Sequence, residues 1–401
     1  MRWRLSLHSF SREAEVLVVG ASVAGLCATY SAARGGAETL LLDAAPEIGA
    51  HPNPATLLME PLWRRTGLPL PEGAAERGLS GVRVGGPSGA GPLFRLCAFH
   101  LDRQLFDRGL AELATEAGAT VRSGVRVTGA LSSGGVLTQD GPVRASVTVF
   151  ADGVNSAVRR IMPTMRNPWE VAWGLAQLLE SPGLGKPLYC EVRFGSFAPG
   201  WRAQLNPLGG SQASLWTFVR GVSRGELKGC AERARRSFLG AEDTRILEER
   251  RGADPAFVVP YRIAGDGVMA CGAAAGQGGL EYGARAGLVA GEVAAKAVGA
   301  RNASRRALRQ YERTWGRETA AEDLLMRWGM QALRHLSDTE LDELFKGLSG
   351  VEIGERELLA LLRCDPRGAL RRVRLGHSVR ALLRLALGWA RAAGVSEGRR
   401  V

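Results

Sequence analysis

Lysine is nearly missing from this chain. It occurs only at positions 186, 228, 296 and 346, so almost all of the 52 basic residues are arginine. The formal charge of +12 thus comes with an arginine, glycine and alanine bias that fits a GC-rich coding sequence. No run interleaves aromatic with basic side chains, and a nucleic-acid partner is not expected. The six cysteines, at 27, 97, 190, 230, 271 and 364, are too scattered for a metal centre or a disulfide framework and read as reduced cytoplasmic thiols. No apolar run approaches the roughly 18 residues of a membrane span. The opening MRWRLSLHSFSREA also has no apolar core of signal-peptide length. Together these absences point to a soluble cytoplasmic protein.

What is present suits a large enzyme: 401 residues, 45% of them hydrophobic, are enough for two domains. The most ordered pattern is VLVVGASVAGLCATYSAARGGAETLLLD, residues 16–43. Val16 to Val19 form a continuous apolar run, as in a parallel strand buried on both faces. Gly20 makes the tight turn, and Gly25 lets a helix pack closely on the strand. Between them Ser22, Val23 and Ala24 bring backbone N–H groups to the positive end of that helix, where a pyrophosphate is stabilised. Ser22 stands at the middle glycine of the G-x-G-x-x-G pattern; its hydroxymethyl group can point aside or donate to phosphate. Asp43 ends the second strand about 20 residues on, the position of a carboxylate that accepts ribose hydroxyls.

The rest of the chain embeds this βαβ unit. A Pro- and Gly-rich stretch reaches Pro92, with a short helix expected over 55–66 and strand-like pieces at 81–84 and 93–98. A helix is expected over 100–117, then strands at 120–127, 135–138 and 146–150. Residues 166–220 alternate short β-rich pieces with Gly-Pro turns, and 223–240 reads as a helix. An apolar strand at 267–271 feeds a glycine turn, GAAAGQGG, and a helix from Leu280 to about Val298. The last hundred or so residues look mainly helical.

Three further segments, FHLDRQLFDRGLAELATEAGA, VTVFADGVNSAVRR and GVMACGAAAGQGGLEYGARAGLVAGEVAA, complete a pattern. In order and spacing, residues 14–315 resemble FAD-dependent oxidoreductases of the geranylgeranyl reductase type, which are related to the aromatic hydroxylases. The fold this implies is α/β. A Rossmann-like FAD-binding domain (1–75, 97–160 and 255–315) is interrupted by a β-rich substrate domain (76–96 and 161–254) and followed by a helical C-terminal region (316–401). The resemblance implies that Arg103 reaches the ribityl and phosphate region of FAD and that the backbone of Val127 holds the adenine edge. It also puts Asp152 near the cofactor, where its carboxylate can equally orient Arg159 and the local turn. Gly272, Gly276, Gly278 and Gly279 line the flavin end, the last two offering N–H groups at a helix start.

The chain also departs from the family's pattern. Where the third motif normally begins Gly-Asp, Gly272 is followed by Ala273, which removes one contact to a ribityl hydroxyl worth about 1.5–3 kcal/mol. Gln277 runs directly into Gly278, so a proline-containing loop beside the isoalloxazine is shortened. Pro46, Glu47, Ile48 and Gly49 are retained, but His51, Pro52, Asn53 and Pro54 follow in place of a Cys-Gly pair. In FAPGWRAQLNP, Arg202, Gln204 and Asn206 take the places of three aromatic residues that would face an isoprenoid. Alternate residues of a strand share one face, so all three make the same wall polar. His51 is either a solvated loop residue or an acid–base group, and Glu281 and Tyr282 either pack or touch substrate.

The resemblance implies reduction of carbon–carbon double bonds in an apolar or isoprenoid substrate, with NAD(P)H or a ferredoxin-like donor recharging FAD. No catalytic side chain and no metal is assigned. Two alternatives stay open: an FAD-dependent monooxygenase, and a non-catalytic nucleotide- or lipid-binding descendant of the fold. From Val379 to Arg391, apolar and arginine residues segregate at helical spacing, which suits packing or peripheral contact with the inner face of a membrane.

Overall fold

The computed structural model describes residues 14–50, 55–131, 134–162, 171–223, 225–240, 244–255 and 262–363. His51 and the basic segment at 379–391 lie outside these, as does the side chain of Arg159. The chain opens with β1 (Ala14–Val19), α1 (Val23–Arg34), β2 (Thr39–Leu42), β3 (Leu57–Met59) and α2 (Glu60–Trp63). Next come β4 (Ala75–Gly85), β5 (Leu93–Leu101), α3 (Arg103–Glu116), β6 (Thr120–Arg122), β7 (Val127–Ala130), β8 (Val136–Thr138), β9 (Gly141–Val143) and β10 (Ala145–Phe150). The middle holds β11 (Ala172–Glu180), β12 (Cys190–Arg193), β13 (Ala203–Gly209), β14 (Gln212–Val219), α4 (Leu227–Leu239) and β15 (Arg245–Asp254). It closes with β16 (Ala264–Gly265), β17 (Val268–Ala270), α5 (Leu280–Gly299), α6 (Arg305–Leu333), α7 (Asp338–Lys346), β18 (Glu352–Gly354) and α8 (Glu355–Leu362).

Two compact units result. The first comprises residues 1–51, 104–167 and 259–316, the second 52–103, 168–258 and 317–401. Residues 55–75 and 97–103 thus belong with the β-rich unit rather than the nucleotide unit, because β3, β4 and β5 pair with one another. Residues 317–363 join the same unit and do not stand alone as a helical region. The segments expected as short strands at 81–84 and 93–98 extend into the long hairpin of β4 and β5. His100, expected at a helix start, is instead held in β5 opposite Leu57, and α3 begins at Arg103.

The first unit is built on a six-stranded sheet of order β16-β17-β10-β1-β2-β6, parallel except for β16. Val16, Leu17 and Val18 are wholly buried, which is why their run is uninterrupted by polar residues. Helices α1 and α5 meet at backbone contact. Gly287 and Gly291 recur at four-residue spacing on α5, and a Cβ on either would lie 2.1 or 2.2 Å from the carbonyl oxygen of Ala24 or Ala28 on α1. Ser31 of α1 locks the crossing by donating to the Leu288 carbonyl at 2.8 Å.

The second unit is a nine-stranded, mainly antiparallel sheet of order β15-β11-β14-β13-β12-β4-β5-β18, with β3 also on β5. Leu179, Ala203, Leu205, Ala213 and Leu215 on one face pack against Ala234 of α4. The opposite face carries Ala176, Trp201, Trp216 and Phe218. Farther along the sheet, Leu96, Ala98 and Val192 meet Leu341, Leu344 and Phe345 of α7. Edge strand β15 is blunted by its charges and by a register shift opposite Leu178 and Leu179, devices that discourage further strand pairing. Among the described residues no helix is long and apolar enough to cross a membrane, no cluster could hold a metal ion, and the cysteines are free.

Candidate functional site

The turn between β1 and α1 is fixed by sterics. Gly20 sits at φ +97°, and its N–H donates to the Leu42 carbonyl at 2.8 Å. A Cβ there would come within 2.8 Å of the Ala151 oxygen, and one on Gly25 would come within 1.9 Å of the Gly20 oxygen. Only glycine fits either position. Ser22 resolves the choice left open by its side chain. It is the N-cap of α1, its Oγ accepting from Gly25 N–H at 3.3 Å and donating to the Ala151 carbonyl at 3.0 Å. The hydroxyl is turned into the protein as a cap. The N–H groups of Val23 and Ala24, in the first turn, have no acceptor within the helix and sit at its positive end.

Asp43, nine-tenths buried at the end of β2, ties this turn to its neighbours. Its Oδ2 accepts from Ala21 N–H at 2.6 Å and its Oδ1 from Ala45 N–H at 2.7 Å. Its backbone oxygen accepts from Val125 N–H at 2.8 Å, and Gly124 N–H reaches the Ala45 oxygen at 2.6 Å. The segment leading to Val127, the first residue of β7, is thereby drawn beside the carboxylate. Gly20, Ser22, Val23, Ala24, Gly25 and Asp43 thus come together at the ends of β1 and β2, with the segment that leads to Val127 joined to them through Val125.

Farther along, Asp152 serves the turn: its Oδ2 accepts from Ala157 N–H at 2.8 Å, starting the 3-10 helix Ala157–Arg160, while Gly153 takes φ +82°. Gly272 (φ +61°) and Gly276 (φ +77°) bracket another 3-10 turn, and a Cβ on Gly272 would lie 2.5 Å from that of Ala24. In this turn Gly272, Ala274 and Ala275 are buried, whereas Ala273 is partly exposed. Gly278 leads to Gly279, the exposed N-cap of α5 at φ +89°. Just inside the helix Glu281, Tyr282 and Arg285 are all at least nine-tenths buried, with Tyr282 edge-on to Trp315 at 6.5 Å. Arg103 is buried in the second unit, donating from Nη1 to the Ala55 carbonyl at 2.6 Å.

One organising side chain escaped the sequence reading. Gln277 is buried, accepts from Gly272 N–H at 2.8 Å through Oε1, and places Nε2 3.0 Å from the hydroxyl of Tyr311 on α6. Burial pushes the Tyr311 hydroxyl well up, so it remains a neutral partner. Nothing local announces a partner 34 residues away. Replacing Gln277 with leucine strands a backbone N–H and a phenol, each costing about 1–3 kcal/mol. We expect Gln277→Leu to lower stability by about 2–4 kcal/mol in urea melts, with Tyr311→Phe milder; equal stability of Gln277→Leu and the wild type would contradict the role.

No family model matches the chain. It is 32% identical over 392 residues to digeranylgeranylglycerophospholipid reductase 2 of Methanothermobacter thermautotrophicus, covering 87% of this chain and 95% of that protein. Against the digeranylgeranylglycerophospholipid reductase of Methanosarcina mazei the figures are 30% over 389 residues, 87% and 92%. The chain belongs to the digeranylgeranylglycerophospholipid reductase family. A geranylgeranyl bacteriochlorophyll reductase-like protein of Thermoplasma acidophilum shares its fold, with a TM-score of 0.81 at 23% identity, over 90% of this chain and 96% of that one. The fold extends to a halogenase, PltM, solved with phloroglucinol and FAD, with a TM-score of 0.62 at 15% identity over 84% of this chain and 79% of that one. The resemblance carried by the four sequence segments is therefore to the right family.

Within this family member, the second unit presents the residues expected to make a polar wall. The Arg202 guanidinium lies over Trp201 and Phe218, 5.2 and 5.5 Å from their ring centres, with Nη2 3.7 Å from Asp254. Gln204 Nε2 donates to Asn206 Oδ1 at 2.9 Å. Both face away from α4, since Ala203 and Leu205 between and beside them pack on it. The wall is polar at these positions and aromatic at Trp201, Trp216 and Phe218.

Proposed function

We propose that this protein is an FAD-dependent oxidoreductase that reduces carbon–carbon double bonds of an apolar, isoprenoid-type substrate. The observation that carries the reading is the cradle at the β1–α1 turn, in a chain whose curated relatives are named as reductases of a geranylgeranyl lipid. Two glycines that admit no Cβ leave room for a pyrophosphate against the N–H groups of Val23 and Ala24. Each oxygen of Asp43 holds one backbone N–H, and each keeps a second lone pair for a ribose hydroxyl. Val127, drawn alongside, offers its backbone to the adenine. These donors and acceptors fit the adenosine diphosphate half of FAD.

At the flavin end, the N–H groups at the start of α5, beside Gly278 and Gly279, favour negative charge on a bound ring. Ala273 offers only a methyl group, so the acceptor that a carboxylate would give a ribityl hydroxyl is absent here. When bound, reduced flavin supplies hydride, while the protein orients it and keeps water from the reacting carbons. NAD(P)H or a small iron–sulfur protein would recharge it.

The test is spectroscopic, then kinetic. Purified protein is expected to be yellow and to release FAD on denaturation. Anaerobic photoreduction followed by addition of a prenyl alkene should restore the oxidised flavin spectrum at a rate that rises with alkene concentration. Colourless protein that takes up no added FAD would overturn the reading. Reoxidation that needs both substrate and oxygen would replace it with oxygen-dependent chemistry.

A further inference from the structure

On the sheet face of the second unit that turns away from α4, one hydrogen-bonded row interrupts an apolar surface. Gln204 pairs directly with Trp216, which pairs with Ala176, so all three share that face. Asn206, the next residue on the same side, is wholly buried. Its Oδ1 lies 2.9 Å from both Cys190 Sγ and Gln204 Nε2, and its Nδ2 is 3.4 Å from Thr56 Oγ1. A buried carboxamide destabilises unless paired, and an apolar residue would serve a purely apolar pocket better.

The row also has a direction. Burial drives the Cys190 thiol far above its ordinary range, so it stays protonated and acts as a donor. Asn206 must then turn its oxygen toward Cys190 and its nitrogen toward Thr56. Gln204, meeting that same oxygen, must offer its nitrogen. Its own Oε1 is thereby left as an oriented acceptor on a partly exposed side chain, with no hydrogen-bond partner among the described residues.

We propose that Gln204 is a specificity-determining residue whose Oε1 accepts a hydrogen bond from a hydroxyl group on the substrate, with Asn206 and Cys190 as positioning residues. The substrate is then an isoprenoid-type alkene bearing a hydrogen-bond donor, rather than an unsubstituted polyprenyl chain. This rests on the alkene-reductase reading above and narrows it.

The test compares geranylgeraniol with its methyl ether, equal in length but lacking the donor, in anaerobic reoxidation of the photoreduced holoprotein. Wild type should favour the alcohol by about tenfold or more in kcat/KM, the loss expected when one acceptor goes unpaired. Gln204→Leu should bring that ratio close to one, chiefly by slowing turnover of the alcohol. Cys190→Ser, which keeps a donor, should retain the preference. Asn206→Leu should lower it even where flavin content and circular dichroism are unchanged. If wild type uses both probes equally, the inference is overturned and the reductase reading stands. If neither probe reoxidises the flavin of a protein that holds FAD, the reductase reading falls, and this inference with it.

Discussion

Gly25→Ala is expected to yield protein without flavin and less stable by about 3 kcal/mol or more, because the added Cβ would sit 1.9 Å from the Gly20 carbonyl oxygen. That oxygen is backbone and cannot rotate away. Gly20 itself is pinned by its N–H bond to Leu42 and by the Ala151 oxygen and Asp152 on its other side, so the turn has nowhere to move. Relief must come from sliding α1 along β1, which breaks the Ser22 cap and spoils the alignment of the Val23 and Ala24 N–H groups. A useful control is Gly229→Ala in α4, where a Cβ meets nothing closer than Arg233 Nη1 at 3.6 Å. There the loss of backbone freedom in the unfolded chain should stabilise by about 0.4–1 kcal/mol. Flavin-to-protein absorbance ratios and urea midpoints read both effects. Gly25→Ala protein that stays yellow with an unchanged midpoint would mean the crossing is softer than its geometry implies.

The parts of the molecule legible in the sequence are those where a local rule admits one residue type. Val16 to Val18 are apolar without break because both faces of β1 are buried. Gly20 and Gly25 are glycine because backbone lies where a Cβ would go. Less visible was the GlyxxxGlyxxxGly spacing of Gly283, Gly287 and Gly291. It announces a close helix crossing, and the structure finds it against α1. What stayed hidden depends on contacts between distant residues. The partnership of Gln277 with Tyr311 and that of Cys190 with Asn206 have no local signature. The short strands expected at 81–84 and 93–98 grew into a hairpin because β12 and β18 pair with their outer edges, a non-local gain that outweighs the intervening glycines. Ser22 lay between these cases. Its hydroxyl could point aside or donate to phosphate, and only the positions of the Ala151 carbonyl and Gly25 N–H turn it inward as a cap.

Asp43→Ala is expected to weaken FAD binding by about 3–5 kcal/mol, two to three and a half orders of magnitude in Kd, through two separable losses. The first is the pair of ribose contacts assigned to its oxygens. The second is internal: Ala21 and Ala45 N–H groups, now 2.6 and 2.7 Å from the carboxylate, lose their acceptor, and the glycine turn loses its side-chain tie to the end of β2. Asparagine does not repair this. Its single oxygen can serve one of the two N–H groups, while its NH2 confronts the other, donor against donor. Asp43→Asn should therefore fall close to Asp43→Ala, unlike an exposed carboxylate where the amide is a mild change. FMN, which lacks the adenosine, separates a defect local to that end of the site from a general one. Titration of apoprotein with FAD should show the full defect, whereas FMN, already weak, should bind wild type and both variants alike. A defect of equal size toward FMN would mean that Asp43 acts on the fold of the unit as a whole. An Asp43→Asn variant with wild-type FAD affinity would show that neither the second acceptor nor the negative charge matters at this strand end.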